Sequence, residues 1–160
     1  MIHFLDLATL NPFLAHHCVT YIAEHMRQSD VDELNARLGL TPLEALSTSI
    51  HISSHGWVIV DGKGKPIAMF GAAPIPDQLG KGAMWLLGTD GVERHGRRIA
   101  LNTRRYLDRM NDAYPYLWNY VDARNAASLR WLHGAGCKIV GEVPEMGVER
   151  RPFLIVAREA

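Results

Sequence analysis

Residues 116 to 143, YLWNYVDARNAASLRWLHGAGCKIVGEV, constrain the fold more than any other part of the chain. Tyr116 to Val121 is a short run of aromatic and β-branched side chains, which favours a buried strand because such side chains pack well on a pleated surface. After Asn125 the apolar residues recur at helical spacing, and this pattern ends at Gly134, a residue type that tolerates the left-handed backbone of a helix end. A second strand, Cys137 to Val143, follows at once. The stretch therefore predicts a strand–helix–strand unit with an Asn at the helix entrance and a Gly at its exit.

The first third of the chain is predicted to be mostly helical. Side-chain oxygens of Asn and Thr can cap a helix, Pro suits the first helical position, and a carboxylate in the first turn can reach back to the cap. Three helix starts follow from these signals, at Asn11 with Pro12, at Ser29 with Asp32, and at Thr41 with Pro42 and Glu44.

The remaining pattern predicts strands separated by Gly- and Pro-containing loops. Ala83 to Leu87 is expected to be central in a sheet because it is apolar throughout. A helix is predicted from Val92 to Asp112, ended by Tyr114-Pro115. The other predicted strands are Ile2 to Leu5, Trp57 to Val60, Pro66 to Phe70 and Phe153 to Arg158, with loops at Gly71 to Gly82 and Pro144 to Pro152.

Composition narrows the class of protein. A chain of 160 residues with 48% hydrophobic content is long enough for one well-buried core and short for two, which predicts a single domain over residues 1–160. Seventeen Lys and Arg balance 17 Asp and Glu, so no global field draws the chain to nucleic acid or to an anionic membrane. No apolar run is long enough for a membrane span. Two distant cysteines without a secretory signal predict a reduced intracellular compartment and a soluble protein.

The strand–helix–strand unit resembles the closing half of the GNAT superfamily of acyl-CoA-dependent N-acyltransferases. That family's pattern is a strand, Asn, two residues, Ala, a Leu-Tyr pair and then Gly-Phe. More closely, WLLGTDGVERH, LWNYVDARN and SLRWLHGAG resemble a phage-encoded branch of the fold, which includes a small internal virion protein of short-tailed phages. Asn125 and Gly136 fall in register with the family pattern, while Ser128 stands at its Ala, Trp131 and Leu132 at its Leu-Tyr pair, and Cys137 at its Phe.

The resemblance implies an α/β (α+β) fold, with a mixed, twisted sheet of about six or seven strands flanked by helices. In this family the strands at 83 to 87 and 116 to 121 run parallel and splay apart, and the cleft between them admits the pantetheine arm of acyl-CoA. By resemblance, Leu86, Leu87 and Gly88 at the end of the central strand are cofactor-binding residues, together with Asn125.

The turn after the central strand, GTDGVERHGRR, is the candidate phosphate site. Backbone amides at a helix start attract phosphate because they are unpaired donors at the positive end of the helix dipole. In the GNAT superfamily, which the chain resembles, the sequence of this loop is Arg or Gln, any two residues, Gly, any one residue, and then Gly or Ala. Gly96 keeps the central Gly, whereas Glu93 and Arg98 depart from the pattern. Arg94, Arg97 and Arg98 can hold phosphates with their side chains instead.

Acyl transfer needs a base to deprotonate an amine and an acid for the departing thiolate. The family often takes its acid from a Tyr at the place that Leu132 occupies here, and Leu132 cannot give a proton. Asp122, at the end of a strand facing the expected cleft, is the best candidate for the base, and Glu93 is the second candidate. Tyr120 or Ser128 could replace the missing acid. The alternative for Asp122 is a turn or helix-cap carboxylate, and for Asn125 a structural cap.

Two functions from different classes follow. The first is an acetyl-CoA-dependent N-acetyltransferase acting on an unknown amine. The second is a non-catalytic virion-associated protein that contacts other virion proteins and has a degenerate CoA site. The resemblance places the protein in the host cytoplasm or the virion. The spacing of the histidines does not fit a metal site, and no His or acidic residue at a telling distance supports a nucleophilic cysteine. The arginine run that continues to Arg104, Arg105 and Arg109 is predicted to be a solvated helix face, with a nucleic-acid surface as its alternative.

Overall fold

The computed structural model describes residues 1–160, which form seven strands and six helices. None of the helices has the length and hydrophobicity that crossing a bilayer requires. In chain order the elements are β1 (Ile2–Asp6), α1 (Pro12–Glu24), α2 (Gln28–Arg37), α3 (Pro42–Ile52), β2 (His55–Asp61), β3 (Pro66–Pro74), β4 (Lys81–Gly88), α4 (Gly91–Arg94), α5 (Gly96–Ala113), β5 (Tyr116–Asp122), α6 (Ala126–Gly134), β6 (Lys138–Met146) and β7 (Arg151–Glu159).

The seven strands form one mixed sheet in the order β1-β2-β3-β4-β5-β7-β6. Every neighbouring pair is antiparallel except β4 and β5, which run parallel. A parallel pair needs a crossover connection, and α4 with α5 supplies it. The predicted fold class, with its mixed sheet, flanking helices and helical first third, is confirmed.

The two faces of the sheet each carry a hydrophobic core. On one face α1 and α3 pack on the strands through a cluster that includes Ile22, Leu46 and Met69. On the other face α5 and α6 bury a larger cluster that includes Ile99 and Leu117. Each fully buried aliphatic side chain contributes about 1.5–3 kcal/mol relative to an exposed one, so the sheet is held from both sides.

Three predicted helix caps are present. The Asn11 side chain accepts a hydrogen bond from the Phe13 amide at 2.9 Å, and Thr41 accepts one from the Glu44 amide at 3.2 Å. Asn125 accepts from the Ser128 amide at 3.2 Å. Each bond satisfies an amide that the first helical turn leaves without a partner.

The predicted start of the second helix is wrong. The helix begins at Gln28, Ser29 lies inside its first turn, and the flanking residue Arg27 makes no side-chain cap bond. Arg27 instead turns its side chain into the protein, where it contacts Asp30 and Ser128. A local cap signal was therefore overridden by long-range contacts.

Two loops are shorter than predicted. The stretch from Gly71 to Pro74 continues β3, and β4 already begins at Lys81. Strand β2 approaches Gly71 so closely that a Cβ there would lie 2.2 Å from the His55 carbonyl oxygen, and only glycine fits at this position of the strand. Likewise β6 runs through Pro144, which a strand at the edge of a sheet tolerates.

The segment predicted as one helix from Val92 to Asp112 forms two helices, because the helical conformation is interrupted at His95 between α4 and α5. The second of them begins at Gly96, a residue type with low helix propensity inside a helix. The arginines of α5 are exposed, in agreement with the solvated face predicted for them, while Ile99, Thr103 and Met110 are buried.

Candidate functional site

The parallel strands β4 and β5 separate after a short paired segment. Only Lys81 to Ala83 pair with Tyr116 to Trp118, and neither residues 84–88 nor residues 119–122 continue the ladder. The predicted divergence of these two strands is therefore present. It leaves a gap in the middle of the sheet, open towards the carboxyl ends of both strands.

The register of β4 decides which main-chain groups face this gap. The Thr89 amide donates to the Ile67 carbonyl, so the odd-numbered residues of β4 bond to β3. The N–H and C=O of Met84, Leu86 and Gly88 point the other way, towards β5. The Met84 oxygen accepts a hydrogen bond from the Asn119 side chain at 2.6 Å. Leu86 lies beyond the last β4–β5 pair, so its N–H and C=O face the gap as a donor and an acceptor.

Helix α2 covers the open end of the gap and ties its two sides together. Arg27 donates its main-chain N–H to the Gly88 carbonyl at 2.9 Å, and Asp30 accepts the Gly88 N–H at 3.0 Å. The Arg27 guanidinium bonds Asp30 at 2.8 Å and the Ser128 hydroxyl at 2.6 Å. Asp30 also accepts from the Asn125 side chain at 3.2 Å. Arg27 and Asp30 are 2% and 0% exposed, so this is a buried ionic bridge.

Three residues that the sequence analysis singled out bond to this bridge or beside it: Gly88 and Asn125, predicted to bind the cofactor, and Ser128, an acid candidate. Gly88 uses its main-chain N–H and C=O, Asn125 uses both ends of its amide, and Ser128 accepts from Arg27 through its hydroxyl oxygen. The structural alternative for Asn125, a cap that joins two strands, is thus present in the geometry. The cofactor roles of Gly88 and Asn125 stay predictions.

A cavity of about 260 Å³ lies in and beside the gap. Most of its lining is apolar, and Leu34, Leu86, Leu87 and Leu132 are among those residues. The polar side chains that reach it include Glu33, Arg37, Asn119, Tyr120 and Ser128. A mostly apolar cavity with a few convergent polar groups is the usual form of a small-molecule site.

Glu33 is the carboxylate that enters this cavity. Its Oε1 accepts the Asp122 amide at 2.5 Å, and Oε2 accepts no hydrogen bond from the protein. Burial raises the pKa of Glu33 to about 7, against the lowering effect of the Asp122 amide and the Arg37 charge. A carboxylate with a pKa near neutrality is suited to general-base chemistry.

Asp122, the base candidate from the sequence, has a different setting. Its Oδ2 accepts a hydrogen bond from Arg124 Nη2 at 2.7 Å, and its Oδ1 accepts the Arg124 amide at 2.9 Å. Burial opposes ionisation, but the bonds from Arg124 outweigh it and hold the pKa of Asp122 below its ordinary value. Asp122 is absent from the cavity lining, and Glu93 is exposed on α4. The turn role considered for Asp122 matches these contacts.

Tyr120 reaches the cavity from β5. Its hydroxyl has no hydrogen-bond partner within the protein, and the Arg37 guanidinium lies 5.2 Å from the centre of its ring. Arg37 also donates to the Asn119 side chain at 3.1 Å. Tyr120 is therefore an available donor in the same cavity as Glu33. Its role as acid stays a prediction.

The predicted phosphate loop covers the short helix α4 and the start of the long helix α5, which follow β4. The amides of residues 92–95 are used within α4, because they donate to carbonyls of Thr89, Asp90 and Gly91. Helix α5 then begins at Gly96 without a side-chain cap, which leaves first-turn amides free. Arg94, Arg97 and Arg98 are all exposed around it. The anion-attracting features expected from the sequence thus gather at the start of α5.

The thiols offer no nucleophile. Cys137 is buried, and burial raises its pKa to about 11. Burial raises the pKa of the Cys18 thiol as well. Both therefore stay protonated at neutral pH, and the reactive thiolate form is scarce.

Sequence reasoning missed the contribution of α2, namely Arg27, Glu33 and Arg37. No local signal marks these residues, because charged side chains at three- and four-residue spacing are typical of the solvent-facing side of a helix. Only the packing of α2 over the gap shows that they are partly or fully buried.

No protein-family model matches the sequence, and no curated protein sequence matches it. Solved structures do resemble the chain along its length. A GCN5-related N-acetyltransferase from Kribbella flavida superposes with a TM-score of 0.72 at 16% identity, covering 99% of this chain and 98% of that one.

An acetyltransferase of the GNAT family from Streptococcus pneumoniae gives a TM-score of 0.70 at 14% identity, covering 99% of each chain. An aminoglycoside acetyltransferase in complex with coenzyme A gives 0.66 at 11% identity, covering 99% of this chain and 95% of that one. The chain therefore has the fold of the GNAT acetyltransferases.

Proposed function

We propose that the protein is an acetyl-CoA-dependent N-acetyltransferase of phage type that acts on a small amine. The observation that carries the proposal is the cavity between the diverging strands β4 and β5, which holds Glu33 beside the free main-chain groups of Leu86. Fold alone does not decide activity, so the proposal depends on the side chains in this cavity.

The residues present fit acetyl-CoA in outline. Leu86 offers a main-chain N–H and C=O in the gap for the amide groups of a pantetheine arm. The first turn of α5 offers amides, and Arg94, Arg97 and Arg98 offer guanidinium groups for phosphates. A Cβ on Gly96 would meet no atom within 4 Å, so the surface there is open to a ligand. Acetyl-CoA, when bound, supplies an acetyl group as a thioester that an amine nitrogen can attack.

The protein's own part in the reaction is proton transfer and positioning. Glu33 Oε2 accepts the proton that the ammonium must lose before its nitrogen can form the amide bond. Tyr120 donates its hydroxyl proton to the departing sulfur, which Leu132 at the family's usual acid place cannot do. The apolar walls limit water, so the charge on Glu33 is costly unless a cation lies beside it.

A second function is supported by the bridge across the gap. The buried Arg27–Asp30 pair joins Gly88 to Ser128 at the place where a bound ligand would separate them. A closed bridge favours a virion-associated protein that uses the fold as a scaffold and contacts other virion proteins. Either function is compatible with a protein of the host cytoplasm or the virion.

Acetyl-CoA at 1 mM is expected to raise the melting temperature by roughly 5–10 °C if its dissociation constant is about 10 µM, by mass action on the native state. Replacing Gly96 by Leu is expected to abolish this shift, because the new side chain enters the space where phosphates would lie. The substitution is not strained, since Gly96 has no positive φ and its Cβ direction is open. Differential scanning fluorimetry measures both effects.

Ala113→Leu is the matched control, because it adds the same side chain at the exposed far end of α5. This variant should keep the full shift. Absence of any shift in the unmodified protein at millimolar acetyl-CoA would favour the scaffold function. A shift that survives Gly96→Leu would place the phosphates elsewhere.

A further inference from the structure

Glu33 and Arg37 lie one helical turn apart on α2, and both line the cavity. Opposite charges at this spacing usually approach each other on a helix. The five ion pairs of the structure nevertheless do not include them, so their charged atoms are more than 4.0 Å apart. The cavity thus contains an acidic and a basic group that are kept apart.

Other contacts hold the two side chains in these positions. Glu33 is held by the Asp122 amide, while Arg37 is held by the Asn119 side chain and by the face of the Tyr120 ring. The backbone of Arg37 is fixed as well, because its carbonyl accepts the Val148 amide at 3.3 Å. The separation is therefore part of the packing of α2 against β5 and the β6–β7 turn.

Arg37 has donors left for a ligand. Its Nη1 makes the one hydrogen bond of the side chain, to Asn119, and Nε and Nη2 make none. Burial lowers the pKa of Arg37, while the negative charge on Glu33 counters that effect. Glu149, whose amide donates to the Ala36 carbonyl at 3.1 Å, pairs its side chain with Arg151. A partly buried guanidinium without a carboxylate partner favours binding of an anion.

We infer that the acceptor is an amine that also carries a carboxylate, as an amino acid with an apolar side chain does; this inference rests on the proposed function. The ammonium lies beside Glu33, the carboxylate bonds the free donors of Arg37, and the side chain packs among Leu34, Leu38 and Leu40. The ammonium gives one proton to Glu33, and its nitrogen forms the amide bond as the C–S bond of the thioester breaks. Tyr120 protonates the departing sulfur, and the second proton that the nitrogen loses returns to Tyr120. The carboxylate takes no part in the chemistry.

Acetyl transfer to L-leucine and to L-leucinamide tests this inference with the full chain and acetyl-CoA. The two acceptors share the amine and the side chain and differ in the carboxylate. We expect kcat/KM for leucine to exceed that for leucinamide by roughly 10- to 100-fold, the range of one charged hydrogen-bonding pair. Release of free thiol measures the rate.

Arg37→Met should lower the ratio of kcat/KM for leucine to kcat/KM for leucinamide by a similar factor, mainly through KM for leucine. The ratio is the readout because the Arg37 charge also lowers the pKa of Glu33, and the loss of that effect is common to both acceptors. Arg37→Lys should restore part of the loss, because it keeps the charge without the planar fork. Arg130 is an exposed arginine on α6, so Arg130→Met is the matched control and should leave kcat/KM unchanged for both acceptors. The melting temperature of each variant shows whether it is folded.

Calorimetric titration with leucine alone separates this inference from the proposed function. Leucine binding that leucinamide does not share, and that Arg37→Met removes, supports the acceptor class even if no thiol is released. Transfer to amines regardless of a carboxylate, or an equal loss for both acceptors in Arg37→Met, overturns the inference and leaves the acetyltransferase proposal standing. Absence of leucine binding by the native protein, with or without acetyl-CoA, also overturns it.

Discussion

Glu33→Gln is expected to lower the rate of acetyl transfer by about 10²- to 10⁴-fold and, at pH 8, to make the folded protein more stable. The amide keeps an oxygen that can accept the Asp122 amide, so the fold around α2 is retained. It cannot accept the proton of the attacking amine. The kcat/KM of the native protein should rise with pH through about 7, the pKa of Glu33, and this rise should be absent in the variant.

The stability effect follows from the sign of the shift. The folded-state pKa of Glu33 is about 7 against an ordinary value of 4.5, so between these values the folded protein binds more protons than the unfolded chain. The free energy of unfolding therefore falls as pH rises through this window, by up to about 3 kcal/mol at 1.36 kcal/mol per pKa unit. Glutamine does not ionise, so the variant should gain this amount above pH 7 and nothing below pH 4.5.

Urea unfolding at pH 5 and pH 8, beside the pH profile of thiol release, measures both effects. Glu24→Gln, the same substitution at an exposed position of α1, should change neither. A Glu33→Gln variant that retains the native rate and pH profile would remove Glu33 from the mechanism. The opposite signs of the activity and stability effects would identify Glu33 as a residue retained at a cost to stability, as functional residues often are.

Arg27→Met is expected to destabilise the protein by about 3–5 kcal/mol, because it leaves the Asp30 carboxylate buried without its cation. The aliphatic length of Met fills most of the space, so the loss reports the charge and the hydrogen bonds. Arg27 bonds both Asp30 and Ser128, and its Nη1 is buried without a partner. Because this buried N–H group has no hydrogen-bond partner, it reduces the net contribution of the Arg27–Asp30 pair to stability.

The double substitution Arg27→Met with Asp30→Asn should recover part of this loss, since no buried charge then remains unpaired. The control is Arg150→Met, which breaks the pair with Glu145 whose side chains are 76% and 63% exposed, and it should cost no more than about 1 kcal/mol. Urea unfolding at pH 7 compares the four proteins. Equal losses in Arg27→Met and Arg150→Met would contradict the assignment of Arg27 as a buried bridge.

The Arg27 bridge also bears on the choice between the two proposed functions. A closed bridge holds Gly88 and Ser128 together, so a ligand in the gap has to fit beside it or displace it. A larger acetyl-CoA shift in Arg27→Met than in the native protein would mean that the bridge competes with the ligand. An unchanged shift would mean that the cavity beside the bridge is sufficient.

The elements of the chain could be predicted locally because each depends on neighbouring residues. Helix caps at Asn11, Thr41 and Asn125 are local hydrogen bonds, and the buried strand β3 is a continuous run of apolar and small residues. Local signals failed where a distant contact mattered, as at Arg27, whose partners include Gly88 and Ser128 far along the chain. They failed likewise at Gly71, whose place in a strand depends on the close approach of β2.

The amino-acid sequence by itself determined the order of strands and helices and, through its resemblance, the parallel pair that diverges in the middle of the sheet. Only the tertiary structure decided which charged groups enter the resulting cavity. Glu33 and Arg37 look like the solvent-exposed charges of any surface helix, and Asp122 looks like a free carboxylate at a strand end. Whether such groups are buried, paired or available depends on packing between elements distant in the chain, and that packing places Glu33 in the gap while Arg124 neutralises Asp122.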